Sequence, residues 1–180
     1  MHKEIWTIGR ILQWTEQYFQ SKEMDTPRLD GEVLLSHVLG KDRIYLYTHY
    51  DQPLIQEELD AFRPLVQQRA KGYSVASITG QKDFMGLTFK VNDKVLIPRP
   101  DTESLIEHVL DTYSEDCNIR ILDICTGPGT ILLSLLHYLP NAVGVGLDIS
   151  TDALPLAREN ADSFKLTERV EFKDLSLIHI

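Results

Sequence analysis

The sequence has 180 residues, 43% of them hydrophobic and 25% charged, a balance that suits a soluble globular chain and excludes a disordered tract or a fibrous repeat. That length holds one ordinary domain, or a small domain with part of a larger one, and no apolar run approaches the ~18 residues of a membrane helix. A formal charge of −9 argues against a protein that coats phosphate backbone, and two cysteines without a neighbouring Cys or His cluster argue against a disulfide scaffold or a zinc site. The opening Met-His-Lys-Glu-Ile-Trp lacks the apolar stretch of a secretion signal, so the expectation is a cytoplasmic location with neither a membrane nor direct nucleic-acid binding.

The first part of the chain reads as helices. Ile5, Ile8, Ile11, Leu12 and Phe19 form an amphipathic stripe with Gln13, Glu16 and Gln20 facing water. Asp25 or Thr26 can then cap a helix that starts at Pro27, buries Leu29, Val33, Leu34 and Val38, and stops at Gly40. Ile44 to Tyr47 is a short apolar run. Leu54 to Ala70 is helical again, and Pro64 predicts a kink or a division into two helices, because an interior proline removes a hydrogen bond. After Lys71-Gly72 the period changes. Leu87, Phe89 and Val91 alternate with polar residues, Asn92-Asp93 supplies turn chemistry and Val95-Leu96-Ile97 follows, so residues 84–97 predict a β-hairpin. Pro98 and Pro100 end it, and Asp101 can cap a helix that buries Leu105, Ile106, Val109 and Leu110. From residue 118 onward Ile119–Ile124, Ile131–Leu139, Ala142–Leu147, Thr151–Phe164 and Val170–Lys173 alternate strand and helix, the rhythm of βαβ units and a parallel sheet.

One stretch carries chemistry. A strand runs into Asp123, and Cys125-Thr126-Gly127-Pro128-Gly129 forms a loop whose glycines let backbone approach a ligand before a helix begins. Asp148 ends the next strand 19 residues after Gly129, a separation at which an acidic residue can bind ribose hydroxyls. The alternative is a plain tight turn, with Asp148 capping the following helix. A pyrophosphate site would need a third glycine, where Cys125 and Pro128 stand. The loop resembles that of class I S-adenosylmethionine-dependent methyltransferases.

A second stretch, Val95-Leu-Ile-Pro-Arg-Pro-Asp-Thr-Glu103, is similar to the Ile-Pro-Arg-Pro-Asp/Glu-Thr-Glu signature of the peptide chain release factor glutamine methyltransferases. Arg28-Leu-Asp30, Ile78-Thr-Gly80, Phe84-Met-Gly-Leu87 and Asp148-Ile-Ser150, followed by Ala153, Ala157, Asn160 and Ala161, also look like that family, so the resemblance runs over residues 1–174. It implies an α/β protein: an N-terminal helical substrate-binding domain (1–75), a β-hairpin linker (76–97) and an incomplete Rossmann-like methyltransferase domain (98–174). The implied reaction moves a methyl group from S-adenosyl-L-methionine to the glutamine amide nitrogen in the Gly-Gly-Gln motif of class 1 translation release factors. By the same resemblance Asp123, Cys125, Thr126, Gly127, Pro128, Gly129, Asp148 and Asp174 would hold the cofactor, and Pro98, Arg99, Thr102 and Glu103 would border the active site. Arg99 would either pair with a carboxylate or fix the turn.

The resemblance has gaps. Ser74, Ser77 and Pro128 depart from the family pattern, and Pro128 removes a backbone donor from the loop. The family's catalytic Asn-Pro-Pro-Tyr motif does not occur, so no catalytic residue is assigned and no turnover is expected from this chain alone. Three parallel strands would leave the first one open at its far edge, which predicts exposed apolar surface and poor solubility. Leu175-Ser-Leu-Ile-His-Ile180 reads as a non-native tail, similar to a translated sequencing adapter, with a short apolar strand as the alternative. Other readings are a ribosomal-protein glutamine methyltransferase, disfavoured by the intact Pro98–Glu103 stretch, and a non-catalytic module that binds a release factor.

Overall fold

A computed structural model describes residues 5–175 and divides the chain into two units, Met1–Thr79 and Gly80–Ile180. The tail beyond Leu175 lies outside the described residues. Among those residues no helix is long and apolar enough to cross a membrane.

The first unit is helical. Thr7 Oγ1 accepts from Arg10 N at 3.3 Å and starts α1 (Ile8–Gln20), which buries Ile8, Ile11, Leu12 and Phe19. Ile5 precedes the helix and is 63% exposed, so the apolar stripe begins one turn later than the spacing suggests. Pro27 opens α2 (Pro27–Leu39), and Gly40, with φ of 60°, closes it. Its buried face is rotated from the expected stripe: Leu34 and Leu35 are inside with Asp30 and Glu32, while Leu29 is exposed. Burying those charges is tolerable because each is paired. Arg69 Nε donates to Asp30 Oδ2 at 2.7 Å. Glu32 accepts from Arg28, from Arg43 Nη2 at 2.7 Å and from the Tyr47 hydroxyl.

The run at 44–47 is a short helix, α3 (Arg43–Thr48), capped where Asp42 Oδ1 accepts from Tyr45 N at 2.8 Å. α4 (Gln56–Ala70) is one continuous helix through Pro64, not two. Pro64 and Asp60 are both exposed, so the carbonyl left without a partner one turn back faces water. A short α5 (Val75–Thr79) follows, which the sequence pattern did not announce; Ser74 Oγ accepts from Ser77 N at 3.0 Å at its start.

The second unit opens with an antiparallel hairpin, β1 (Gln81–Phe84) and β2 (Leu87–Lys90). The hairpin expected over 84–97 is therefore displaced. Its turn is Met85-Gly86, with φ of 48° and 70°, the pair of left-handed residues that a tight two-residue hairpin turn requires. Val95–Ile97 forms no strand, and Leu96 is 79% exposed. A short 3-10 helix (Pro100–Thr102) leads into α6 (Glu103–Thr112), so Asp101 sits inside that turn and is not the helix cap. Ile106 is buried, whereas Leu105 is exposed.

β3 (Arg120–Ile124), α7 (Thr130–Tyr138), β4 (Val143–Asp148), α8 (Ala153–Ser163) and β5 (Val170–Asp174) then alternate as the spacing predicts. The strands are parallel in the order β3-β4-β5, with Asp148 in register with Asp174. Two glycines of β4 let side chains press onto the backbone. A Cβ at Gly144 would lie 2.5 Å from Leu132 Cδ1, and one at Gly146 would lie 2.7 Å from Phe172 Cδ1. Residues that point the other way on the sheet include Leu122, 59% exposed, with Ile124 and Val143 also exposed. Among the described residues β3 pairs with β4 alone. This is the incomplete Rossmann-like sheet that the sequence implies, with its first strand at an open edge.

Candidate functional site at the strand ends

Parallel strands deliver their carboxyl ends to one side of a sheet, where a ligand meets loops and helix N-termini. Here β3 delivers Asp123, β4 delivers Asp148 and β5 delivers Asp174. Between Asp123 and α7 the loop uses left-handed backbone at Cys125 (φ 64°), Gly127 (57°) and Gly129 (82°). Cys125 pays for this conformation with strain of about 1–3 kcal/mol, and its side chain is exposed.

The two glycines serve different needs. A Cβ at Gly129 would come within 2.8 Å of Leu133 Cδ1, so this residue seats the loop against α7. A Cβ at Gly127 would meet nothing within 4 Å, so that side of the loop is open. Thr126 N donates to Leu147 O at 2.9 Å and Gly129 N donates to Thr126 O at 2.9 Å, which ties the loop to β4 and closes it as a turn. Pro128 is buried, and its carbonyl accepts from Asn160 Nδ2 at 2.9 Å.

Asp148 is held by backbone. Its Oδ2 accepts from Gly127 N at 2.8 Å and its Oδ1 from Ser150 N at 2.9 Å. It does not cap α8, which starts behind Asp152 with Ser150 Oγ accepting from Ala153 N at 3.2 Å. Each Asp148 oxygen keeps a lone pair for a further donor. Asp123 Oδ2 accepts from Thr126 Oγ1 at 2.7 Å. Burial pushes the Asp123 carboxyl above the ordinary value and the charge of Asp148 adds to this, outweighing the hydrogen bonds from Thr126 and the Leu132 backbone. Asp174 is exposed at the end of β5, and Leu175 N donates to Asp148 O at 3.2 Å. The loop residues Cys125–Gly129 thus gather with Asp123, Asp148 and Asp174 at one end of the sheet.

The second predicted group is built around the hairpin. Pro98 is buried and Arg99 is exposed, and the Arg99 backbone carbonyl accepts from Thr102 N at 3.0 Å. Glu103 Oε1 accepts from Met85 N at 2.9 Å, and Tyr138 OH donates to Met85 O at 2.7 Å, so both polar groups of the left-handed hairpin residue are satisfied. Glu103 therefore acts here as a clasp between α6 and the turn. Asn160, prominent in the resemblance only as a matched letter, is the residue whose importance the sequence understated: it is fully buried and bonded to the loop.

Comparison with known proteins agrees with this division. Residues 10–80 match the model of the PrmC N-terminal domain, and residues 115–179 match that of a methyltransferase domain. The chain is 39% identical over 175 residues to a release factor glutamine methyltransferase of Chlorobaculum tepidum, covering 94% of this chain and 60% of that protein. It is 44% identical over 159 residues to the one from Geobacter sulfurreducens, covering 88% of this chain and 55% of that protein. A solved RNA methyltransferase from Salinibacter ruber, in complex with S-adenosyl-L-homocysteine, shares 26% identity over 47% of this chain and 53% of that one, with a TM-score of 0.40. The chain thus spans a little over half the length of the curated relatives it matches. With its helical unit, its glycine loop and this level of identity, the chain is similar to release factor glutamine methyltransferases over 88–94% of its own length.

Proposed function

We propose that the second unit binds S-adenosylmethionine and that the protein to which this chain belongs methylates the side-chain amide of the Gly-Gly-Gln glutamine in class 1 release factors, in the cytoplasm. The observation that carries the reading is the Asp148 carboxylate, fixed by Gly127 N and Ser150 N with lone pairs to spare beside an open loop. Paired ribose hydroxyls are the donors such a carboxylate accepts. Asp123 accepts from the Thr126 hydroxyl and Asp148 from the backbone amides of Gly127 and Ser150, all uncharged donors, so the carboxylates suit a positively charged ligand. The sulfonium and ammonium groups of S-adenosylmethionine meet that need.

When bound, the cofactor supplies an activated methyl group. Asp148 and the loop around Gly127 would hold that cofactor, and its methyl group would pass to the substrate amide nitrogen. An amide lone pair is delocalised, so positioning dominates catalysis. Within these 180 residues there is no Asn-Pro-Pro-Tyr, so the share of this chain is to hold the cofactor and the partner. The first unit suits the partner: a groove of about 410 Å³ runs between α1 and α4, lined by Trp6, Trp14, Tyr18, Phe62 and Arg63. Half-exposed aromatics around such a groove are typical anchors of protein recognition.

Calorimetry of the chain with S-adenosylmethionine tests the cofactor half, and absence of binding overturns it. Pull-down of a release factor by wild type and by Trp14→Ala tests the partner half; equal recovery removes the groove from the interface.

A further inference from the structure

Asn160 stands on α8 and is fully buried, yet all three hydrogen bonds of its side chain go to backbone outside its own helix. Its Oδ1 accepts from Lys90 N at 2.8 Å, and its Nδ2 donates to Lys90 O at 3.1 Å and to Pro128 O at 2.9 Å. The orientation of the amide follows from its partners. Reversing it would set its NH2 group against an N–H and its oxygen against two carbonyls. The side chain therefore acts toward Lys90 as a neighbouring strand would, and its remaining donor reaches the loop. Lys90 ends β2 and Pro128 sits between the two loop glycines, so one amide joins hairpin, helix and loop.

We infer that Asn160 is a positioning residue for the cofactor loop, acting through the Pro128 carbonyl to hold the peptide that precedes Gly129. The inference rests on the proposal that this loop holds S-adenosylmethionine. Pro128 has no N–H to offer, so its peptide is oriented through its carbonyl and the flanking residues. On one side of it Gly127 N is spent on Asp148, and on the other Gly129 N is spent on Thr126 O. A shift at Pro128 displaces the donor that aims Asp148. Asn160 thereby sets the geometry of a carboxylate it does not touch.

The test uses the full chain and two substitutions. Asn160→Asp keeps an acceptor for Lys90 N but replaces the donor to Pro128 O by an oxygen, while Asn160→Ser removes the amide without adding charge. Calorimetry with S-adenosylmethionine is read beside thermal melting and amide hydrogen exchange. The expected result is at least a tenfold loss of affinity at temperatures well below the melting transition, with faster exchange concentrated at Gly127 and Gly129. Wild-type affinity in either folded variant, or acceleration spread evenly over the second unit, overturns the inference and leaves Asn160 a core residue. If the wild-type chain binds no S-adenosylmethionine, the cofactor reading fails on its own. The exchange pattern at Gly127 and Gly129 then still decides whether Asn160 positions the loop.

Discussion

Both units draw carboxylates out of bulk water, buried in the first and half-buried in the second, and they hold them in opposite ways. In the helical unit Glu32 is surrounded by Arg28, Arg43 and Tyr47, and Asp30 by Arg69 and Thr26, so each charge is neutralised within the fold. Desolvation alone would raise the Glu32 carboxyl, but the bonds from Tyr47, Arg43 and Arg28 win and hold it below the ordinary range. In the α/β unit Asp123 and Asp148 are held by a hydroxyl and by backbone amides, and Asp123 is pushed upward. The same residue type thus closes a structure in one unit and leaves a site open to a cation in the other. A perturbed carboxylate at the end of a parallel strand is a functional signal where a saturated one between helices is not.

The largest expected effect is on the closed network. Glu32→Ala leaves two guanidinium groups and a hydroxyl facing each other, and breaking a fully buried pair costs about 3–5 kcal/mol. Arg28 and Arg43 reach solvent, with side chains 31% and 48% exposed, so the lower end of that range is expected. Both tryptophans, Trp6 and Trp14, lie in the first unit, so denaturant unfolding followed by tryptophan fluorescence reads this unit selectively. Calorimetry should find cofactor affinity unaltered in the folded variant. A joint loss of both would mean that the two carboxylate sets are coupled.

Asp148→Asn is the counterpart in the open site. The substituted amide turns an NH2 group toward one of two backbone donors and removes the charge that the proposed ribose contact requires. Affinity for S-adenosylmethionine should fall about 100-fold, roughly 2.7 kcal/mol, while the fluorescence transition stays in place. Unchanged affinity would take Asp148 out of the site. A smaller effect concerns the open sheet face, where burying one large aliphatic side chain is worth about 1.5–3 kcal/mol when complete and less at a loose contact. Leu122, 59% exposed, with Ile124 should drive self-association, and Leu122→Lys should reduce it on size-exclusion chromatography. A clean wild-type monomer at high concentration would contradict this.

Much of the fold was legible because local chemistry and tertiary structure agree. Pro27 and Gly40 bracket α2 as capping rules require, and the strand-helix alternation after residue 118 gives the parallel sheet with boundaries shifted by a residue or two. The misreadings share one cause, a tertiary setting of partners or solvent that no window of sequence contains. β1, Gln-Lys-Asp-Phe, is polar because it is a hairpin strand with three of four side chains at least partly exposed, and it carries no apolar run to announce it. The α2 stripe is rotated because Asp30 and Glu32 find cations on other helices. Pro64 passes through α4 because its side of the helix faces water. At the site, Asp123, the two glycines and Asp148 were readable from spacing, since strand ends and loops are local. The roles of Glu103 and Asn160 were not, because their partners lie 18 and 70 residues away.

The finest test of the contrast is the sign of the response to acid. Glu32 is held below its ordinary value, so its contribution is fully present above about pH 4.3 and is lost as pH falls through its lowered value. Asp123 is raised, so its ionised form costs stability: its favourable contribution is complete below about pH 3.9 and is lost as pH rises through the raised value. Mild acid should therefore relieve the second unit before it harms the first. Asp123→Asn keeps an acceptor for Thr126 and removes the half-buried charge, so at pH 7 it should stabilise the transition seen by circular dichroism but silent in tryptophan fluorescence. That gain should shrink as pH falls toward the ordinary aspartate value. A gain of equal size at every pH would show that Asp123 bears no charge to relieve, and that the open site rests on Asp148 alone.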